Sequence, residues 1–318
     1  MTKKTNRVAP SAAAGPSRDG VAALADGLYR GQSTILLQEL HILTRDGKLN
    51  QDSRRKLKQV SHLYQFIEKL LLELGAETTP QAGGYCEGAV HGLTVADHGA
   101  GKSYLGFILH DLFFRERGDG WIYGIETRSE LVDKSRQLAS KLGFARMSFL
   151  NLSVEQSASA AELPQRIDLV TALHACDTAT DDAIAFGLAK SARAMVLVPC
   201  CQAELARLLN ADKALSLRRT PLAELWRHPL HTREVGSQLS NVLRCLYLEA
   251  WGYQVTVTEL VGWEHSLKNE LIMARHIGQL RRSSAHRMRE LLAQFGLESL
   301  LQHRYRLPPE GAAPSVTG

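Results

Sequence analysis

The sequence predicts an α/β fold: a doubly wound, mostly parallel sheet of seven strands behind an N-terminal helical extension. Three observations predict it. From residue 93 onward, short apolar runs rich in β-branched residues alternate with helical stretches; a parallel sheet covered by helices on both faces produces that alternation. Before residue 80 the pattern is helical alone. The first apolar run ends in an acidic residue followed by a glycine turn, and such sheets hold ligands beyond the carboxyl ends of their strands.

The chain has 318 residues, 44% of them hydrophobic, enough for one sizeable domain with an appendage. No stretch reaches the apolar length that spans a bilayer. The polar start, MTKKTNRVAPSAAAGPSRDG, lacks the central apolar run of a signal peptide. There are five cysteines, Cys86, Cys176, Cys200, Cys201 and Cys245, with no CxxC pair. Neither a disulfide framework nor a zinc ribbon is indicated, no metal is expected, and a reducing cytoplasm fits best. The net charge of +5 and the pI near 9.0 suit a nucleic-acid partner and suit ordinary solubilising charge equally.

The expected organisation is a disordered tail over 1–20, a helical extension over 21–80, the sheet domain over 85–280 and a basic helical tail over 281–318. In the extension, Leu57, Val60, Leu63, Ile67, Leu70, Leu71 and Leu74 recur at spacings of three and four, one face of a helix. Arg54, Arg55, Lys56, Lys58 and Lys69 take the opposite face, as a solvated face or a backbone-binding stripe. Strands are expected at 93–97, 121–126, 147–151, 167–173 and 194–199, with helices over 103–114, 129–143 and 181–192 between them. Two late runs, 254–261 and 270–277, are joined by a short link and are expected to pair antiparallel.

Three readings compete for DHGAGKS at 97–103. A P-loop needs GxxxxGK[ST]; Gly101, Lys102 and Ser103 supply its end, but Ala96 stands at its first glycine. A dinucleotide fingerprint needs a third glycine where Tyr104 stands. A methyltransferase loop needs a strand-end acid with glycines two and four residues later, and Asp97, Gly99 and Gly101 supply all three. The second strand ends in Glu126, which can accept hydrogen bonds from ribose hydroxyls, as it also would in a nicotinamide enzyme. The third ends at Asn151 and Leu152, either an adenine contact or a plain turn.

The text at 171–202 is more specific. It reads Leu173-His174-Ala175-Cys176, then Ala179-Thr180-Asp181, and later Pro199-Cys200-Cys201. These motifs, with SLKNELIMAR at 266–275, resemble a group of class I S-adenosylmethionine-dependent methyltransferases. The group includes certain methyltransferase-like proteins, glutathione-transferase-C-terminal-domain-containing proteins, and the enzymes that methylate a ribose 2′-hydroxyl in the tRNA acceptor stem. The resemblance covers roughly 55–280. It implies a Rossmann-like sheet and S-adenosyl-L-methionine as cofactor, with Asp97, Gly99, Gly101, Glu126, Asn151 and His174 around it. Two departures stand out. Asp177 replaces the glycine usual in the group, and the cysteine and histidine zinc-binding segments of the tRNA enzymes are absent.

Catalytic candidates follow from the strand order. The ends of strands one, four and five are neighbours in such a sheet, so His174, Cys176, Asp177, Cys200 and Cys201 converge near the methyl group. His174 is a general base or a histidine bonded to its own loop. Cys200 or Cys201 is a nucleophile toward a pyrimidine, or a small packing residue. A zinc site from His174, Cys176 and one of Cys200 and Cys201 has the ligand types but no standard spacing. No [DN]PP[YFW] motif for adenine amino groups is present.

On the substrate side, Trp226, Arg227, His228, His231 and Arg233 form either a base-stacking, phosphate-holding surface or a helical connection with an anchoring tryptophan. Arg281, Arg282, Arg287, Arg289, Arg304 and Arg306 offer an RNA-facing patch or a solvated face. The expected function is methyl transfer from S-adenosylmethionine to RNA, ribosomal or transfer. Protein or small-molecule methylation, and a non-catalytic adaptor that binds cofactor or RNA, are the alternatives. No membrane association is expected, and the oligomeric state is left open.

Overall fold

The computed structural model describes residues 28–29, 31–49, 51–78, 92–173, 177–199, 203–211, 220–260 and 270–309. The elements run in the order α1 (Thr34–Glu39), α2 (Gln51–Thr78), β1 (Thr94–His98), α3 (Tyr104–Leu109), α4 (Arg115–Arg117), β2 (Trp121–Glu126), α5 (Ser129–Leu142), β3 (Met147–Asn151), α6 (Val154–Ser159), β4 (Leu169–Leu173), α7 (Ala179–Ala189), β5 (Ala194–Val198), α8 (Ala203–Ala211), α9 (Pro229–Ala250), β6 (Tyr253–Glu259), β7 (Glu270–His276), α10 (Arg282–Phe295) and α11 (Leu300–His303). A π-helical turn, His110–Phe114, joins α3 to α4, and a 3₁₀ segment, Pro221–Trp226, precedes α9.

The seven strands lie in the order β3-β2-β1-β4-β5-β7-β6. Strands β1 to β5 are parallel. β7 runs antiparallel to both β5 and β6, as the short link between the late runs predicts. The order reverses between β1 and β4, so a crevice opens beyond their carboxyl ends.

The central strands are buried on both faces, which is why they read as continuous apolar runs. On one face Val95, Ile122 and Val196 pack against Leu57, Leu63, Ile67 and Leu71 of α2 and Phe107 of α3. On the other, Val170, Met195 and Leu197 pack against Ile184 and Phe186 of α7 and Leu243 of α9.

The helical extension is therefore a layer of the domain. The apolar stripe read in α2 is its buried face, with Tyr64 added to it and Leu70 only half-buried. Tyr64 meets Tyr29 edge to face at 5.1 Å. Arg54, Lys58 and Lys69 are exposed.

The C-terminal helices share the second core. Met288, Leu292, Leu297, Leu300 and Tyr305 are buried there. Several arginines of this region are engaged within the chain: Arg287 with Glu249, and Arg304 with Glu204 and, at 3.9 Å, Asp181. Among the described residues no helix is long and apolar enough to cross a membrane.

Candidate active site

The site forms where β1, β2 and β4 end. β1 delivers Asp97 and His98 to the turn at Gly99–Ser103. Gly99 and Gly101 have φ of +67° and +58°, the left-handed region that glycine enters without steric cost. Ser103 also has a positive φ, +51°, where a residue with a Cβ is strained. Ala100 N–H donates to Ile125 C=O at 3.0 Å, tying the turn to β2.

Glu126 closes the turn from the other side. Gly101 N–H donates to its Oε2 at 2.8 Å. Arg128 contributes its backbone N–H and Nε to Oε1 at 3.1 and 3.0 Å and Nη2 to Oε2 at 3.1 Å. Burial raises the Glu126 pKa, but the bonds from Arg128 and Gly101 outweigh it and hold the carboxyl down at about 2. It is therefore an acceptor at any physiological pH. The Arg128 side chain is 60% exposed against 7% for Glu126. Being solvated, the guanidinium can give up its place at little cost, freeing carboxylate lone pairs for another donor such as a diol.

Asp97 faces inward, 2% exposed. Its Oδ1 accepts from Thr171 Oγ1 at 2.9 Å, and its carboxyl also accepts from the Gly106 backbone at the start of α3. Burial pushes its pKa up to about 7, helped by the charge of Glu126 and opposed by these hydrogen bonds. It thus fixes the strand-to-helix turn. Asn151 pins the end of β2, donating Nδ2 to the carbonyls of Glu126 at 3.0 Å and Thr127 at 2.8 Å.

Asp177 follows β4 with φ of +54°. That left-handed backbone explains why glycine suits this position; aspartate is among the few other residues that enter it readily. Its carboxylate is committed to α8. It accepts from Glu204 N–H at 2.9 Å and lies 3.4 Å from Arg207 Nη2, so in this structure it serves as a cap and ion-pair partner. His174, Cys176, Cys200 and Cys201 lie outside the described residues.

Two features were not read from the sequence. His98, between Asp97 and Gly99, is 5% exposed and has no hydrogen-bond partner on either ring nitrogen among the described residues. Its ring packs on Phe186 at 5.3 Å, and burial drives its pKa down to about 4. Its place beside the glycine turn was the available signal. The second is Arg244, 63 positions from its partner and fully buried. It forks onto Asp181 at 2.8 and 2.9 Å and donates to Asp177 C=O at 2.8 Å. Tyr305 OH adds a bond to Asp181 Oδ1 at 3.1 Å.

The pKa shifts make apo stability depend on pH. Asp97 has a raised folded pKa, so the native state holds a proton that the unfolded chain releases near pH 4. Its contribution is fully present below that value and declines as pH rises toward 7. His98 and His110, both pushed down to about 4, act oppositely and cost stability as pH falls below about 6.5. Asp97→Asn should therefore melt close to wild type near pH 4 and progressively above it as pH rises to about 7, with a constant difference at higher pH. Melting curves of both proteins across that range check this; a pH-independent difference would refute it.

A model of a methyltransferase domain matches residues 55–208. No match among curated proteins was found at the sequence level. Among solved structures the chain is similar to a magnesium protoporphyrin IX methyltransferase from Synechocystis PCC 6803 with bound S-adenosylhomocysteine, at 16% identity over 77% of this chain and 95% of that one, TM-score 0.39. It is also similar to a SAM-dependent methyltransferase from Aquifex aeolicus, at 20% identity over 65% and 86%, TM-score 0.34, and to an rRNA methylase from Streptococcus thermophilus, at 12% identity over 66% and 93%, TM-score 0.35.

With the matched domain spanning the glycine turn, Glu126 and the fourth-strand loop, the class is defined: the protein is an S-adenosylmethionine-dependent methyltransferase. Its residues fit that cofactor. A permanently ionised carboxylate stands beside a glycine turn, next to a buried imidazole with unused hydrogen-bonding capacity.

Proposed function

We propose that this methyltransferase acts on RNA, with the cofactor held by Glu126 at its ribose hydroxyls and by the Gly99–Gly101 turn at its amino-acid end. Asp97 and Asn151 shape the walls of that site. The bound cofactor supplies an electrophilic methyl group; the chain supplies proximity, alignment and a place for the acceptor's proton. In this reading the segments after β4 and β5, with His174, Cys200 and Cys201, surround the acceptor, and His174 takes the proton.

The observation that carries the RNA reading is a basic groove beside the cofactor turn. A cavity of about 420 Å³ lies between α1, the turn and α5. His41, Lys102, Lys134 and Lys141 line it, with Tyr104 among them and Glu39 as its one acid. Glu39 pairs with Lys141 at 2.6 Å. Lys102 and Lys134 have no ion-pair partner among the described residues, so the groove keeps a net positive charge suited to phosphates. The motif resemblance at 173–181 and 199–201 points the same way.

Labelled S-adenosylmethionine offered with total RNA, protein extract or a metabolite pool tests the reading. Label is expected in RNA. Label confined to protein or metabolites would assign the acceptor to that class, and label nowhere would favour an adaptor. RNA affinity should fall steeply with salt, and Lys102→Gln with Lys134→Gln should shallow the slope by up to about two, one for each phosphate that is no longer neutralised. Unchanged affinity and slope would remove the groove from the interface.

A further inference from the structure

A second basic site lies near the amino ends of β2 and β3, and shares Lys141 with the groove beside the glycine turn. The helix after β1 changes pitch there. It is α-helical over Tyr104–Leu109, π-helical over His110–Phe114 and α-helical again over Arg115–Arg117. π-turns are rare and often mark functional positions. This one turns His110 toward a cavity of about 450 Å³, bounded by Ser33, Arg115, Lys141, Phe144 and Arg146.

Two of the residues that line this cavity carry a buried polar atom without a hydrogen-bond partner among the described residues, His110 Nδ1 and Arg146 Nε. Leaving such groups unbonded is destabilising, so their presence together calls for an occupant. His110 is 4% exposed, and its ring is stacked on Phe144 at 4.2 Å and 27°, which fixes its direction. Arg146 is held at the entrance to β3, where its carbonyl accepts from Ile122 N–H at 3.1 Å.

The nearby acids are already neutralised. Asp111 takes Arg115 Nη1 at 2.6 Å and Ser33 N–H at 2.8 Å, and Glu39 takes Lys141. The charges acting on His110 are those of Arg146 and Arg115, and both oppose its protonation. The cavity therefore has positive potential, an unused donor at Arg146 Nε, and on another wall an imidazole that becomes a second donor at Nδ1 in that tautomer or when protonated.

We propose that this cavity is a phosphate-binding site, with Arg146 and His110 as the residues that hold the group. Donors from several walls suit a tetrahedral oxyanion, whereas a planar carboxylate needs a single fork. The phosphate belongs either to a small phosphorylated molecule or to a nucleic-acid backbone. The site lies apart from the cofactor turn and does not depend on which acceptor is methylated.

The test uses the full chain. The His110 ring resonance is followed by NMR while inorganic phosphate is added, with acetate at equal ionic strength as control. Adenosine monophosphate and a short RNA are then added as competitors. Saturable binding is expected, with a rise in the His110 pKa as the anion replaces cation repulsion by attraction. Arg146→Gln should weaken phosphate at least tenfold while leaving S-adenosylhomocysteine affinity within twofold, which also shows that the variant folds. Displacement by RNA assigns the phosphate to nucleic acid; displacement by the nucleotide alone assigns it to a small molecule. No saturable binding, equal binding of acetate, or wild-type binding by Arg146→Gln would each overturn the proposal.

Discussion

Asp181→Ala is expected to cost about 3–5 kcal/mol of stability, the usual loss when one member of a buried ion pair is removed. Arg244, at 1% side-chain exposure against 7% for Asp181, would keep its charge with no carboxylate to meet it. Water cannot reach it to compensate. Three segments would loosen together: Asp177, whose carbonyl Arg244 holds, α9, and the C-terminal stretch anchored by Tyr305. For a chain of this size the melting temperature should fall by roughly 6–15 °C. Thermal melts of Asp181→Ala and of Asp181→Leu with Arg244→Met check the cause. The double variant removes both charges, so it should recover much of the loss. Equal losses in the two proteins would show that packing, not the unpaired charge, sets the cost.

Glu126→Ala should weaken S-adenosylhomocysteine at least tenfold, about 1.4 kcal/mol. The carboxylate is ionised, buried and bonded to the glycine turn at Gly101, so its removal takes away an acceptor and loosens the turn proposed to hold the cofactor. Hydrogen bonds to a charged group are worth about 1.5–3 kcal/mol, and two ribose hydroxyls can use this one. Calorimetric titration of wild type and variant, with NADH and ATP as controls, measures it. Undiminished affinity would mean that Glu126 only braces the turn, and a preference for NADH or ATP would contradict the cofactor assignment.

Much of this molecule was legible before it was folded. The strand runs ending at Asp97 and Leu173 were visible because burial on both faces demands continuous apolar residues. The turn at Gly99 and Gly101 was visible because few residues but glycine take a positive φ there. The stripe on α2 was visible because one helical face must be buried. What the structure adds at the site is local. Asp97, expected among the cofactor residues, is buried and accepts from Thr171. Asp177, expected among the catalytic residues, accepts from Glu204 N–H in the first turn of α8. The arginines at 287 and 304 read as a surface patch and are spent on Glu249 and Glu204. The region 282–305 reads as a tail and packs on the central core.

By itself, then, the sequence determined the layered α/β fold and the glycine turn after its first strand, because each follows from local periodicity and from the narrow backbone tolerance of a few residues. Tertiary structure decided which charges are paired, which histidines are buried without a hydrogen-bond partner among the described residues, and which basic residues line a cavity. Arg244 with Asp181, Arg128 with Glu126, and His110 with Arg146 were all settled by proximity and desolvation, and neither is written in the spacing of residues along the chain.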